Sequence, residues 1–430
     1  MSTPASQTVR PDLSGRDLTL DLARVTCVVF VIVVHLLQVG IGPGTGGELV
    51  ASRPAEQEPW FNAATWVGQI MPLFFVVGGF ASAAGWASWT RKGGDATGFI
   101  RTRTLRLAQP ALPLFAFFAV VLVATTAAGI APDLVASAAV GAGSPLWFLA
   151  AYLICQALVP LMVRLHAHAP RATIAALAVG VVAVDALRFA TGITEIGLLN
   201  LLLVWPLVQQ FGFWYRDGWF DRRRVPTLLV LAAACYVALW PLVTWGPYSP
   251  SMLGNLNPPT VPLVLLGLAQ ACLLRIARPA LARLMQVRAV QGFILLMGTR
   301  LMTVYLWHLP VILIVTGLTL LIPGAAPTPS SPAWWWSRPV MFVVVLAAVL
   351  GLSLLIARWE ALGTLGPSPS APVVALAWLC AVVPPFAVMQ LFLDLWLAVG
   401  GTVLLTVAIV LLRHPLFAPR QREGSVVSNA

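Results

Sequence analysis

Apolar runs of roughly twenty residues, separated by short polar connections, repeat along the whole chain. They fall at 18–41, 62–90, 105–130, 145–165, 172–190, 196–216, 226–245, 257–276, 301–322, 338–357, 371–392 and 394–412. A helix of about 20 apolar residues crosses the hydrocarbon core of a bilayer. The pattern therefore predicts an all-α fold, a polytopic transmembrane helix bundle of 10–12 spans. The range reflects the last two runs, which Pro384, Pro385 and Asp394 interrupt. The stretch 290–299 is too much to add to the ninth span and reads as an interfacial or re-entrant lead-in, with Arg300 at the membrane boundary. Residues 1–17 and 413–430 are polar. They are expected to be a cytoplasmic segment and a disordered cytoplasmic tail flanking one membrane domain over 18–412.

Composition agrees: 59% of the 430 residues are hydrophobic and only 10% are charged, where a soluble domain carries about 25%. A net charge of +11 would suggest nucleic acid in a soluble chain. Here the basic residues gather in alternate connections: Arg91 to Arg106, Arg164 and Arg171, Arg216 to Arg224, and Arg275 to Arg288. The other connections hold Arg53, Arg188 and Arg338 against Glu48, Glu56, Glu58, Asp133, Glu195 and Asp394. By the positive-inside rule this bias places the N-terminus in the cytoplasm. Trp334 to Trp336, on an outside connection, read as an interfacial anchor. No basic aromatic domain remains for nucleic acid. The five cysteines lie inside apolar runs without metal-ligand spacing, so neither a disulfide nor a metal site is expected.

Against this apolar background, ionisable residues at membrane depth stand out, because burying them in lipid is costly. Arg24 and His35 share the first run, eleven residues apart. That separation is about three helical turns and about 16.5 Å of rise, which puts both on one face. A neutral imidazole in that position is suited to act as a general base. Asp21, one turn below Arg24, is placed to orient it as an ion pair. A second histidine, His308, lies about 12 Å by helical rise beyond Arg300, beside Tyr305 and before Pro310. Bonding to a carbonyl freed by Pro310 is a competing reading for it. Arg101, Arg103 and Arg106 fall within six residues and are followed by Pro110, which is expected to break the helix. Three guanidinium groups with five donors each suit phosphate, although positive-inside charge accounts for part of the cluster. Gly78 and Gly79 read first as helix packing. Asn257 and Thr260 mark a helix start, with Asn257 as N-cap. That start would aim a positive helix end at an oxyanion or sugar hydroxyl, although capping alone accounts for it. His166, His168 and His414 receive no role.

Taken in order, these residues resemble the acyltransferase-3 family of integral-membrane acyltransferases. Leu20 to Arg24, then ten residues and His35, match its Arg-x10-His signature. Phe74 to Phe80, Arg101 to Pro110, Pro145-Leu146-Trp147-Phe148-Leu149 and Tyr305-Leu306-Trp307-His308 resemble its further motifs. Gly78 stands where a serine is common, and the family core has about ten spans, so the C-terminal apolar runs exceed it.

The resemblance implies transfer of an acyl group, often acetyl, from cytoplasmic acyl-CoA to a hydroxyl of a glycan, glycolipid or natural product. It also implies a multi-pass location among the lipids of a bacterial plasma membrane. In that reading His35 and Arg24 are catalytic, with His308 and Tyr305 stabilising the oxyanion or placing the acceptor. Arg101, Arg103 and Arg106 hold the CoA phosphates, and Asn257, Thr260 and Trp147 are candidates for the acceptor site. The competing class is a secondary transporter of a lipid-linked or small polar substrate. It accounts for span number and for buried polar groups, but not for a basic cluster followed by two intramembrane histidines.

Overall fold

All twelve apolar runs become helical, the second as two consecutive helices and the sixth as a 3-10 helix over Thr194–Leu202 that leads into an α-helix. The computed structural model describes residues 17–44, 49–130, 132–360 and 362–413, with twelve helices among them long and apolar enough to span a bilayer. Most of the expected terminal segments, together with Glu48 and His414, lie outside the described residues. In chain order the helices are α1 (Leu18–Gln38), α2 (Phe61–Gly68), α3 (Met71–Arg91), α4 (Ala96–Ala127), α5 (Pro132–Gly143), α6 (Leu146–His168), α7 (Pro170–Thr191) and α8 (Val204–Arg216). They continue as α9 (Val225–Thr244), α10 (Val261–Leu284), α11 (Arg288–Gly298), α12 (Leu301–Leu320), α13 (Pro332–Glu360), α14 (Ala371–Leu391) and α15 (Leu395–Arg413). The short α11 is the lead-in expected before Arg300. A small antiparallel hairpin that the apolar pattern does not predict follows α1, pairing Gly40 with Ser52 and Pro43 with Leu49.

Three boundaries differ from expectation, each for a local reason. Asp95 caps α4 by accepting from the Gly98 amide at 2.9 Å, so this helix starts well before the apolar run. Pro110 and Pro113 lie inside it and do not end it. Neighbouring helices tolerate the missing amide hydrogen bond in a membrane bundle, so the arginine cluster is helical throughout. Asp394, rather than weakening the last span, caps it through the Leu397 amide at 2.7 Å. Finally, α13 begins at Pro332 and takes Trp334 to Trp336 and Arg338 into its first turns. Trp334 is buried beneath the Arg338 guanidinium, 4.2 Å from its ring centre, and only Trp336 is well exposed. The tryptophan trio is therefore not a uniform interfacial anchor.

Close approach of α3 and α8 sets the middle of the bundle. A side chain on Gly79 would strike the Gln209 backbone, and one on Gly212 would strike the Val76 carbonyl and the Phe80 amide. Beside this contact lies an aromatic wedge. Phe75 stacks on Trp205 at 4.3 Å, Phe148 stacks on Tyr152 at 5.4 Å, and Phe148 meets Tyr305 at 4.6 Å. Phe148 and the Pro145 carbonyl, both at the start of α6, hold Tyr305 of α12, and α12 in turn packs on α1. Those two contacts bring the histidines together.

Candidate active site

On α1, His35 lies one turn from the helix end, and its Nδ1 faces the Val31 carbonyl at 2.9 Å. The same nitrogen is 3.2 Å from Nε2 of His308 on α12, with ring centres 4.9 Å apart. His308 is fully buried, and its Nδ1 faces the Tyr305 carbonyl. Residues 273 positions apart thus form one dyad.

The acceptors around the rings assign the tautomers. Nδ1 of His308 faces a carbonyl and carries its proton, which leaves a lone pair on Nε2. Nδ1 of His35 faces both a carbonyl and that lone pair, so it too carries a proton. The remaining nitrogen, Nε2 of His35, is unprotonated and able to accept. When it does, the imidazolium charge is stabilised through Nδ1 by His308 Nε2 and the Val31 carbonyl. Two nitrogens facing each other hold one proton between them, so the dyad takes up its extra proton at a single atom.

Arg24 occupies the face of α1 shared with His35, as the eleven-residue spacing requires. Together with Arg106, Pro110, Thr299, Met302 and Leu362 it lines a cavity of about 370 Å³. Its Nε is buried and has no hydrogen-bond partner among the described residues. A guanidinium nitrogen left this way is expensive unless an anion or polar ligand completes it. Asp21 is buried one turn below.

The basic cluster on α4 divides. Arg103 lies over the Phe99 ring at 4.8 Å and, with Arg106, lines a second cavity of about 220 Å³. Arg101 points elsewhere. It is buried and donates to the Leu412 carbonyl at 2.8 Å and the Gly366 carbonyl at 2.7 Å. Its helical position, turned away from Arg103 and Arg106, makes it a tether for the end of α15 rather than a lining residue of either cavity. Arg101→Ala should lower stability by about 1–3 kcal/mol, the cost of carbonyls left without a charged donor. Thermal melting in detergent reads this directly, and an unchanged midpoint would remove the tether role.

Other expected positions also shift. Tyr305 is buried and donates its hydroxyl to the Pro145 carbonyl at 2.7 Å, which fixes α12 to the start of α6. With that proton engaged, it orients His308 rather than offering a donor to an oxyanion. Trp147 faces Phe148 at 6.0 Å and stacks with Trp205 at 5.7 Å, within the aromatic wedge. Asn257 is exposed and joined to Pro258 by a cis bond; the N-cap of α10 is Thr260. The Thr260 hydroxyl donates to Asn255 Oδ1 at 3.0 Å, and the first helical amide, on Val261, donates to Asp185 at 3.0 Å. The positive end of α10 is thus already met by a carboxylate, and no free anion site forms there.

Asp185, one of only two carboxylates that the sequence places near membrane depth, receives no site role from it. Almost fully buried in α7, it also accepts from Asn200 at 2.8 Å and from the Tyr248 hydroxyl at 3.0 Å. Burial and then the Asp185 charge hold the Tyr248 phenol well above its usual range, so it remains a donor. His166, given no role from the sequence, is buried on α6 with Nδ1 2.5 Å from Gln210 Oε1 and Nε2 3.0 Å from Asp217. Both networks join helices. The sequence signal for them was a lone polar residue in an apolar run, which does not identify its partner.

No cluster of metal-ligating side chains occurs among the described residues. A family model described as an acyltransferase domain, that of the acyltransferase-3 family, matches residues 17–358. No curated protein and no solved structure matches the chain.

Proposed function

Because the chain belongs to the acyltransferase-3 family and is a multi-pass membrane acyltransferase, we propose that its donor is a cytoplasmic acyl-CoA, acetyl-CoA in the simplest case. The acceptor is a hydroxyl on a glycan, glycolipid or natural product. One observation carries this reading: Arg24, half-buried with a buried, unpartnered Nε, lines a cavity three turns below an imidazole with a free nitrogen.

The chemistry follows from the dyad. His35 Nε2 takes the proton of the acceptor hydroxyl as its oxygen bonds to the thioester carbonyl carbon. The tetrahedral oxyanion collapses, the carbon–sulfur bond breaks, and the leaving thiolate takes the proton back from His35. The products are an O-acyl ester and free CoA. His308 supplies the lone pair that stabilises the imidazolium, and Tyr305 keeps His308 in place. Arg24 and Arg106 attract the donor's phosphates to the arginine end of the bundle, which the charge bias assigns to the cytoplasm.

Release of CoA thiol from acetyl-CoA by the purified protein tests the proposal. Arg24→Ala should raise the donor KM about tenfold or more, the loss expected for one charge-assisted hydrogen bond. Absence of acetyl-CoA binding and turnover in the intact protein would overturn it.

A further inference from the structure

One wall of the Arg24 cavity comes from outside the acyltransferase domain. The other residues that line it, from Arg24 to Met302, fall within the matched residues 17–358, but Leu362 lies beyond them. Leu362 belongs to the irregular segment between α13 and α14. It is half-buried and packs, with Leu365, against the edge of the apolar core.

This segment does not hold itself in place. Over residues 362–369 it forms neither helix nor strand, and guanidinium groups from two other helices meet its carbonyls. Arg413, at the end of α15, donates to the Leu362 carbonyl at 2.9 Å. Arg101, near the start of α4, donates to the Gly366 carbonyl at 2.7 Å. Through Nε, Arg101 also donates to the Leu412 carbonyl at 2.8 Å, next to Arg413 itself. The two anchors are therefore tied to each other as well as to the segment. Farther along, α15 is seated on α4 at Gly401, where a side chain would strike the Phe115 ring. A backbone without ladder hydrogen bonds takes its position from the donors that reach it. Between the anchors, Gly363 turns the chain with a φ of 62°, a left-handed conformation that glycine adopts freely and other residues resist.

We infer that residues 362–366 are a strap, that Arg101 and Arg413 are positioning residues holding Leu362 as a wall of the Arg24 cavity, and that α14 and α15 thereby help to complete the donor's site. That the cavity takes the donor rests on the acyl-CoA reading; the strap itself does not.

The test uses the full-length protein in detergent. Arg413→Ala removes one anchor from outside the cavity lining. Gly363→Ala strains the turn without a clash, because nothing lies within 4 Å of the added methyl group. A thiol placed in the cavity wall as Thr299→Cys is reacted with a water-soluble maleimide, and the signal of the five native cysteines is subtracted. Labelling should accelerate about threefold or more in both strap variants, and should return to the parent rate in Arg413→Lys, which keeps a charged donor for the carbonyl. With Thr299 intact, both strap variants and Leu362→Ala should raise the KM for acetyl-CoA by a similar factor, with kcat and melting temperature unchanged. Labelling indifferent to Arg413→Ala and Gly363→Ala, or accelerated only where the melting temperature falls, would overturn the strap while leaving acetyl-CoA turnover intact. Accelerated labelling with an unchanged KM would keep the strap as a wall and remove the donor from this cavity, so that the acyl-CoA reading of it fails instead.

Discussion

Replacing His35 with alanine should reduce acyl transfer about 10²–10⁴-fold, the range for loss of a positioned general base. Its Nε2 is the ring nitrogen of the dyad left without a proton, because Val31 and His308 claim the proton on Nδ1. No neighbouring carboxylate shares the dyad among the described contacts, so nothing nearby substitutes for it. His308→Phe keeps an aromatic ring of similar size but removes the lone pair that receives the Nδ1 proton. Its effect should be smaller, about tenfold, and should fall on kcat rather than on the donor KM. The two measurements together separate a base from a supporting acceptor. Wild-type turnover in His35→Ala, with the variant folded, would end the catalytic reading of the dyad.

A large stability effect is expected at Gly212. A methyl group there meets the Val76 carbonyl and the Phe80 amide, with the Gly79 Cα at 3.0 Å. These are backbone atoms of a facing helix and have no rotamer to escape into. Gly212→Ala should cost about 1–3 kcal/mol, and Gly212→Val more, as α3 and α8 are forced apart. Gly79→Ala should behave alike, since its methyl group would meet the Gln209 backbone. Gly78→Ala is the control. Its nearest neighbour is a Tyr152 ring carbon at 3.5 Å, an ordinary contact, so the change should stay within about 0.5 kcal/mol. Thermal melting of the three variants decides the matter; equal midpoints for Gly78→Ala and Gly212→Ala would mean that the helix contact is looser than described. Because α8 carries Trp205, which backs the aromatic wedge behind Tyr305, activity should fall together with stability.

These two predictions draw on different levels of legibility. That Gly79 packs against a helix is a reasonable reading of a paired glycine, but which of the two glycines, and against which helix, has no local signature. The same holds for the arginines of α4. In sequence they form one cluster; in the fold, Arg103 and Arg106 line cavities while Arg101 holds the carbonyls of Leu412 and Gly366, on segments more than 260 positions away. Asn257 and Thr260 had the composition of a helix start, and α10 does start there, but a carboxylate from α7 already meets that end.

The helical class, the positions of the apolar segments and the alignment of Arg24 beneath His35 were determined by the chain alone. Lipid offers no hydrogen bonds, so each apolar segment must satisfy its own backbone as a helix, and a helix has a fixed period. Only the tertiary structure decided that His308 is the partner of His35 and that Arg103 and Arg106 line cavities while Arg101 does not. Those outcomes depend on lateral packing between helices. Contacts of that kind join residues hundreds of positions apart and leave no periodic trace in the segments that make them.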